Sequence, residues 1–267
     1  RCRGGLRFIG AGHGQMRRGA PQRGTESRPR IPCQTYSSHL MTRQLVMCGG
    51  GSLAVEVAAL LHDLGACGRG DGYFITDVVA PGPVRTADLI SICSSPFATH
   101  TDISSVSDRD QKAFIVCTGD PTIRHKVYRE LVSMDLTLAR IVHPMAYIAP
   151  SAVIGAGAII YPGVFVGPFV QLGANVVLHA QVAVHHDARL DASVVLSPGA
   201  LLCGHTVCGT AAFLGTGASI LPKMRLGAYS KLSAGSVLRR PAGDGCLLHG
   251  NPATVRRTWP VAFEDET

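Results

Sequence analysis

Stepping by six from Ile148 to Leu238 lands on Ile, Leu or Val at fifteen of sixteen positions, with Cys208 the exception. A position taken at random would be one of those three about a quarter of the time. Four residues after each aliphatic one, from Ala152 to Ser236, the side chain is small, aliphatic or, at Met224, a thioether. The residue directly after it is often Gly, as at Gly155, Gly167, Gly173, Gly209, Gly215 and Gly227. This period fits neither a helical turn nor a plain hairpin array, and it predicts a parallel β-helix of hexapeptide repeats. Three hexads close one triangular coil, so the run holds roughly five coils. The aliphatic side chain points into the prism, the small one sits near a corner, and the Gly is expected to relieve the backbone at the turns. Each coil touches only its neighbours, so stability grows by stacking.

The segment before the repeat alternates strand and helix signals. Gln44–Cys48 is a short apolar strand, Gly49-Gly50-Gly51-Ser52 a tight turn, and Leu53–Asp63 an apolar helix that closes near Gly65. Strand, glycine turn and helix in that order make a cradle in which backbone N–H groups and the helix dipole face an anion. Tyr73–Thr76 reads as a second strand ending at Asp77, and Ala113–Thr118 as a third that runs into Gly119. Asp120 then caps a helix with Pro121 at its first position, reaching about Ser133. Leu138–Val142 reads as another strand, and 91–110, rich in Ser, Thr and Asp, as loop. Such alternation argues for a small parallel sheet with its ligand at the strand C-termini. The expected class is α/β plus β: a small Rossmann-like domain over 43–140, a β-helix over 141–257 and a short tail over 258–267.

Charge narrows the partners. The chain carries a net +7, and residues 1–40 hold eight Arg against one acid, Glu26, which is 8 − 1 = +7. The remainder balances at 17 basic and 17 acidic groups, so the basic balance belongs to the tail and says little about the partners of the folded part, for which no nucleic acid is expected. Residues 1–40 are read as a disordered basic tail that is not native, with Met41 as the natural start, against the alternative of a transit peptide. No apolar run reaches the length of a membrane helix. Nine Cys, an odd number scattered without regular spacing, read as reduced core thiols in a cytoplasmic setting. Cys203-x-His205-x-x-Cys208 has a metal-like look, but Cys208 occupies an interior slot of the repeat.

The domain order, the His143-Pro144 pair that opens the β-helix and the closing Gly250-Asn251-Pro252-Ala253 carry a resemblance. From Gln44 to Arg257 the chain resembles hexapeptide-repeat acyltransferases, closest to the NeuD/PglD type of sugar O- and N-acetyltransferases. The resemblance implies a left-handed β-helix and acetyl transfer from acetyl-CoA, with no metal. The acceptor would be an amino or hydroxyl group of a nucleotide-linked or sialic-acid-like sugar in surface glycan synthesis. It further implies a homotrimer, with CoA lying between adjacent subunits.

Carried onto this chain, the acceptor positions are Gly49, Gly51, Ser52 and Leu53 in the first turn, Thr76 and Asp77 after the second strand, and Gly119 after the third. Leu53 stands where the family has a sugar-contacting His. The CoA positions are Val195, Gly204, Thr216 and Ala234, with Lys223, Arg225, Lys231, Arg239 and Arg240 near enough in sequence to meet phosphates. His186 matches the general base and Asp187 the acid that raises its basicity. A neutral imidazole near pH 7 suits removal of a proton from an attacking nucleophile. Register supports that choice: Val184 points inward, His185, His186 and Asp187 fall on the exposed part of the hexad, and Gly204 lies one coil beyond His186. Two other readings stay open at this stage. One is a γ-type carbonic anhydrase-like zinc enzyme, for which His179, His185, His186 and His205 lack the expected offsets. The other is a non-catalytic β-helix scaffold, which Leu53 favours.

Overall fold

A computed structural model describes residues 43–66, 72–93 and 95–261; the basic segment 1–40, Met41 and residues 262–267 of the expected tail lie outside them. The first unit runs β1 (Arg43–Cys48), α1 (Ser52–Ala66), β2 (Tyr73–Val79), α2 (Thr86–Cys93), β3 (Ala98–His100), β4 (Ala113–Val116) and α3 (Pro121–Ser133). Short 3₁₀ turns at Ile103–Ser105 and Arg109–Gln111 lead into β4. The four strands are parallel in the order β3-β2-β1-β4. Leu45, Val46, Met47, Phe114 and Ile115 are fully buried, as expected of parallel strands covered on both faces. Asp120 caps α3, accepting from the backbone N–H of Thr122 and Ile123, and Pro121 follows at the first turn.

Three differences from the sequence reading have physical causes. β2 continues to Val79, so Thr76 and Asp77 lie inside the strand. The stretch 91–110 is not all loop: α2 extends into it, and β3 pairs with β2 through three residues. Ala98, Thr99 and His100 form an edge strand with no apolar alternation to announce it. Leu138–Val142 is divided: Leu138 bridges to Phe114 of the first sheet, while Ile141–Val142 pairs with Ile159–Ile160 as the first rung of the β-helix. The repeat therefore begins one hexad earlier, at Val142.

From there two-residue rungs recur every six residues to Val237–Leu238 and build a left-handed β-helix of three parallel sheets. Each rung pairs with the one 18 residues on, as in Val177↔Val195 and Val195↔Phe213. The second residue of the rung points inward: Val166, Val184, Leu202 and Ile220 are all 0% exposed. From Gly157 to Gly235 every sixth residue turns a corner with φ between 54° and 73°; five of these are Gly and nine are not.

The Gly that follows the aliphatic residue therefore serves another purpose than the expected turn relief. A Cβ on Gly173 or Gly215 would lie within 3 Å of the backbone of the next coil. These glycines allow coils to approach, while the left-handed strain at the corners is borne by residues such as Asn175, Asp187 and His205.

The three outward faces differ. One carries Ile159, Val177 and Val195, which are buried in a core shared with Val57 and Leu60 of α1. The second carries Tyr147, Phe165, Ala183, Leu201, Ser219 and Val237 in register. The third mixes Val153, Gln171, Arg189, Val207 and Arg225. Arg124 of α3 pins the α/β unit to the corner between the third face and the first. It is fully buried and donates to the backbone carbonyls of Val116 (2.6 Å) and Asn175 (2.7 Å). Burial pulls its pKa down to about 10, which leaves it charged at neutral pH.

Candidate active site

At the corner after the second face, His186 and Asp187 stand on one exposed turn. His186 Nδ1 lies 2.8 Å from Asp187 Oδ2, which directs Nε2 away from the carboxylate. The ring rests on Gly204 of the next coil: a Cβ there would come 2.5 Å from Nε2 and Cε1. Gly204 is thus a space for the imidazole, and the side chain of His186 keeps 55% of its surface open. His205, one coil above Asp187, approaches the same carboxylate at 3.8 Å and meets the His186 ring edge to face at 5.2 Å. His185 points elsewhere and packs on Phe165 of the second face.

A carboxylate on Nδ1 orients the ring and stabilises the imidazolium, while Nε2 stays open to take a proton. Among the described residues, His186, Asp187 and His205 are the only three potential metal ligands within reach of one another. That set is two imidazoles and a carboxylate, where a γ-type carbonic anhydrase would want three imidazoles. Cys203 and Cys208 do not join it: Cys208 is buried in the prism, where burial raises its thiol to about 12.

The expected CoA positions divide. Gly204 lies against His186. Thr216 and Ala234 are exposed, but they sit at the corner before the second face, one face away from His186. Val195 is 1% exposed and belongs to the core beneath α1, so its side chain is closed to any cofactor. The rung residue of that face is covered by the chain's own α/β unit, so any contact of Val195 with CoA would have to run through its backbone, as expected for these positions. Two of the basic residues are already engaged, Lys231 with Asp120 (3.2 Å) and Arg225 with Asp244 (3.9 Å).

The second concavity is a cleft of about 730 Å³ at the C-terminal ends of β1, β2 and β4, where the strand order reverses. Gly49, Gly51, Ser52, Leu53 and Gly119 line it, as expected. Thr76 and Asp77 do not. Asp77 is 4% exposed and meets Lys112 Nζ at 2.7 Å, His100 Nε2 at 2.9 Å and the Thr76 hydroxyl at 2.7 Å. Burial pushes its pKa up, but these partners outweigh burial and hold it below the usual value. The strand end at the cleft is formed by Val79, Ala80 and Pro81 instead.

Sequence reasoning missed α3 as a wall: Ile123, Lys126, Val127 and Glu130 share one helical face and line the cleft. Their i, i+3, i+4, i+7 spacing was the available signal. It also missed Arg124, whose hydrogen bond to the carbonyl of Val116 fixes the strand end beside Cys117 and Thr118.

No protein-family model matches the chain. Solved structures do. An alanine-for-histidine variant of GDP-perosamine N-acetyltransferase from Caulobacter crescentus, in complex with CoA and GDP-perosamine, is 27% identical with a TM-score of 0.69, over 80% of this chain and 97% of that one. The acetyltransferase domain of PglB from Neisseria gonorrhoeae FA1090, in complex with acetyl coenzyme A, is 29% identical with a TM-score of 0.66, over 80% and 99%. The chain is similar in sequence and fold to hexapeptide-repeat acyltransferases of the NeuD/PglD type. WeeI from Acinetobacter baumannii AYE, at 17% identity and a TM-score of 0.56, shares the fold of this acyltransferase. No helix among the described residues is long and apolar enough to cross a membrane.

Proposed function

We propose that this acyltransferase moves an acetyl group from acetyl-CoA to an amino or hydroxyl group of a nucleotide-linked sugar, with His186 as general base. The observation that carries the reading is the His186–Asp187 contact of 2.8 Å on an open corner, with Nε2 free above Gly204. The thioester supplies an activated acetyl carbon. His186 Nε2 takes the proton that the attacking amine or hydroxyl gives up, and returns it to the departing thiolate sulfur. Asp187 keeps Nδ1 protonated and steadies the positive charge in between. No side chain need carry the acetyl group. The cleft on the α/β unit holds the nucleotide, its diphosphate facing the backbone N–H groups at the start of α1. Amino sugars rank first among acceptors because the similar enzymes from C. crescentus are N-acetyltransferases. Sialic acids are the alternative class to test.

A trimer is part of the proposal. Its support is the apolar second face, bounded on one side by the His186 corner and on the other by the Thr216 and Ala234 corner. Packing neighbours around a threefold axis would set one chain's His186 corner against the next chain's Thr216 corner and complete a CoA groove.

The test is thiol release from acetyl-CoA against a panel of amino sugars and sialic acids, free and nucleotide-linked. Replacing His186 by Ala is expected to keep the fold and acetyl-CoA binding while lowering turnover by about 10²–10⁴-fold. Unchanged turnover in H186A would remove the base from the mechanism.

A further inference from the structure

The cleft on the α/β unit holds one group that the fold does not use. Glu130, in the last turns of α3, lines it and is half-buried. No donor or cation among the described residues lies on its carboxylate. Its closeness to the strand end is felt by Cys48, another lining residue, whose thiol is pushed up by burial, Cys117 and the Glu130 charge. The other charged lining groups are placed differently. Asp102 is engaged with the backbone N–H and the hydroxyl of Ser104, and Lys126 stands one turn earlier on the same face of α3. The cleft that Glu130 lines also carries apolar walls: Val79, Pro81, Pro83, Ile103, Ile123 and Val127. A flat ring fits between such walls, and the half-buried carboxylate needs donors from whatever enters.

An ionised carboxylate only accepts hydrogen bonds, through two oxygens side by side. Nucleobases differ in what they offer it. Guanine carries N1–H and the N2 amino group next to each other, two donors on one edge. Uracil has a single N3–H flanked by two carbonyl oxygens, which a carboxylate repels. Adenine and cytosine place a ring-nitrogen acceptor beside their amino group. Guanine alone satisfies both oxygens at once.

We infer that Glu130 selects guanine, so that the acceptor of this enzyme is a GDP-linked sugar whose N1–H and N2 amino group bond the Glu130 carboxylate. The inference rests on the nucleotide-sugar reading above and names its substrate class. It also places a specificity residue on α3, away from the glycine turn that holds the diphosphate.

Isothermal titration of the full chain with GDP, UDP and ADP tests it, each also measured on Glu130→Gln. GDP is expected to bind at least tenfold more tightly than UDP or ADP, the discrimination one good bidentate pair gives. E130Q, which puts an amide N–H₂ against those donors, is expected to lose that preference with an unchanged thermal midpoint. UDP or ADP binding as tightly as GDP, or GDP affinity untouched in E130Q, would overturn the guanine assignment. Acetylation of a UDP-linked amino sugar would then leave the transferase reading standing. Binding of none of the three diphosphates would take down the nucleotide reading along with the inference.

Discussion

At the scale of single residues, two positions show how little of a site is chemistry and how much is space and partners. Gly204 lacks the positive φ of the corner glycines, so an Ala there meets no backbone penalty. Its Cβ would, however, stand 2.5 Å from the His186 ring and push the imidazole off Asp187. Gly204→Ala is expected to cut kcat by about tenfold or more while moving the thermal midpoint by no more than a degree or two, read by thiol release and by thermal denaturation. Asp77 makes the opposite case, a residue whose role is stability. Its carboxylate is held ionised by Lys112, Thr76 and His100, with a folded pKa below the unfolded value of about 3.9. A depressed pKa means that the folded state binds fewer protons than the unfolded state as pH falls through this range. The stabilisation is therefore present above about pH 4 and fades as pH drops through the lower folded value. Asp77→Asn should cost on the order of 3 kcal/mol at pH 7, because it leaves Lys112 buried without its charge partner. The gap between the two proteins should shrink steadily toward pH 3 in urea unfolding, and a pH-independent gap would refute the ion-pair account.

At the scale of elements, stability runs through the inward stack. Leu196 is fully buried between Leu178 and Leu214 of the adjacent coils. Leu196→Ala should cost about 2–5 kcal/mol and, since coils support only their neighbours, should lower hydrogen-exchange protection in the rungs at Leu178 and Leu214 more than in β1. This repeat was legible in the sequence because each inward slot excludes polar side chains, so a period of six survives in the residue types themselves. The corner conformation was not legible: Phe169, Asn175, Gln181 and Asp187 share one φ but no chemistry, since the coil geometry rather than the side chain imposes it. β3 was missed for the same kind of reason. Three edge residues bury too little to leave a pattern. Of the site, the His186–Asp187–Gly204 contact could be read because one coil is a fixed number of residues, which converts sequence distance into proximity. Glu130 could be read only as far as its helical face, shared with Ile123, Lys126 and Val127. Arg124 left no such signal, because its contacts depend on how α3 lies against the sheet and the β-helix.

At the scale of the molecule, the three faces of the prism argue for what the single chain lacks. One face is covered by the α/β unit through Arg124, His125 and Glu56, which reach Asn175, Ser193 and Tyr161. The second face leaves Tyr147 and Phe165 stacked at 5.3 Å, with Tyr147 56% exposed, and continues along Leu201 and Val237. An apolar strip of this length beside the His186 corner is the surface that the proposed trimer would bury. If three copies meet along it, Phe165→Asp would bring a desolvated charge into each contact, which costs several kcal/mol wherever no cation can pair with it. Sedimentation velocity should then find the parent protein as a trimer and F165D as a monomer. His186→Ala, whose side chain stands on the corner and not on the strip, should remain trimeric. Acetyl transfer should vanish in F165D even though every residue of its own His186 corner is intact, because in the proposed trimer the groove for the pantetheine arm needs the neighbour's Thr216 corner. Full activity in a monomeric F165D would show that one chain suffices, and would move the acyl-donor site off the second face.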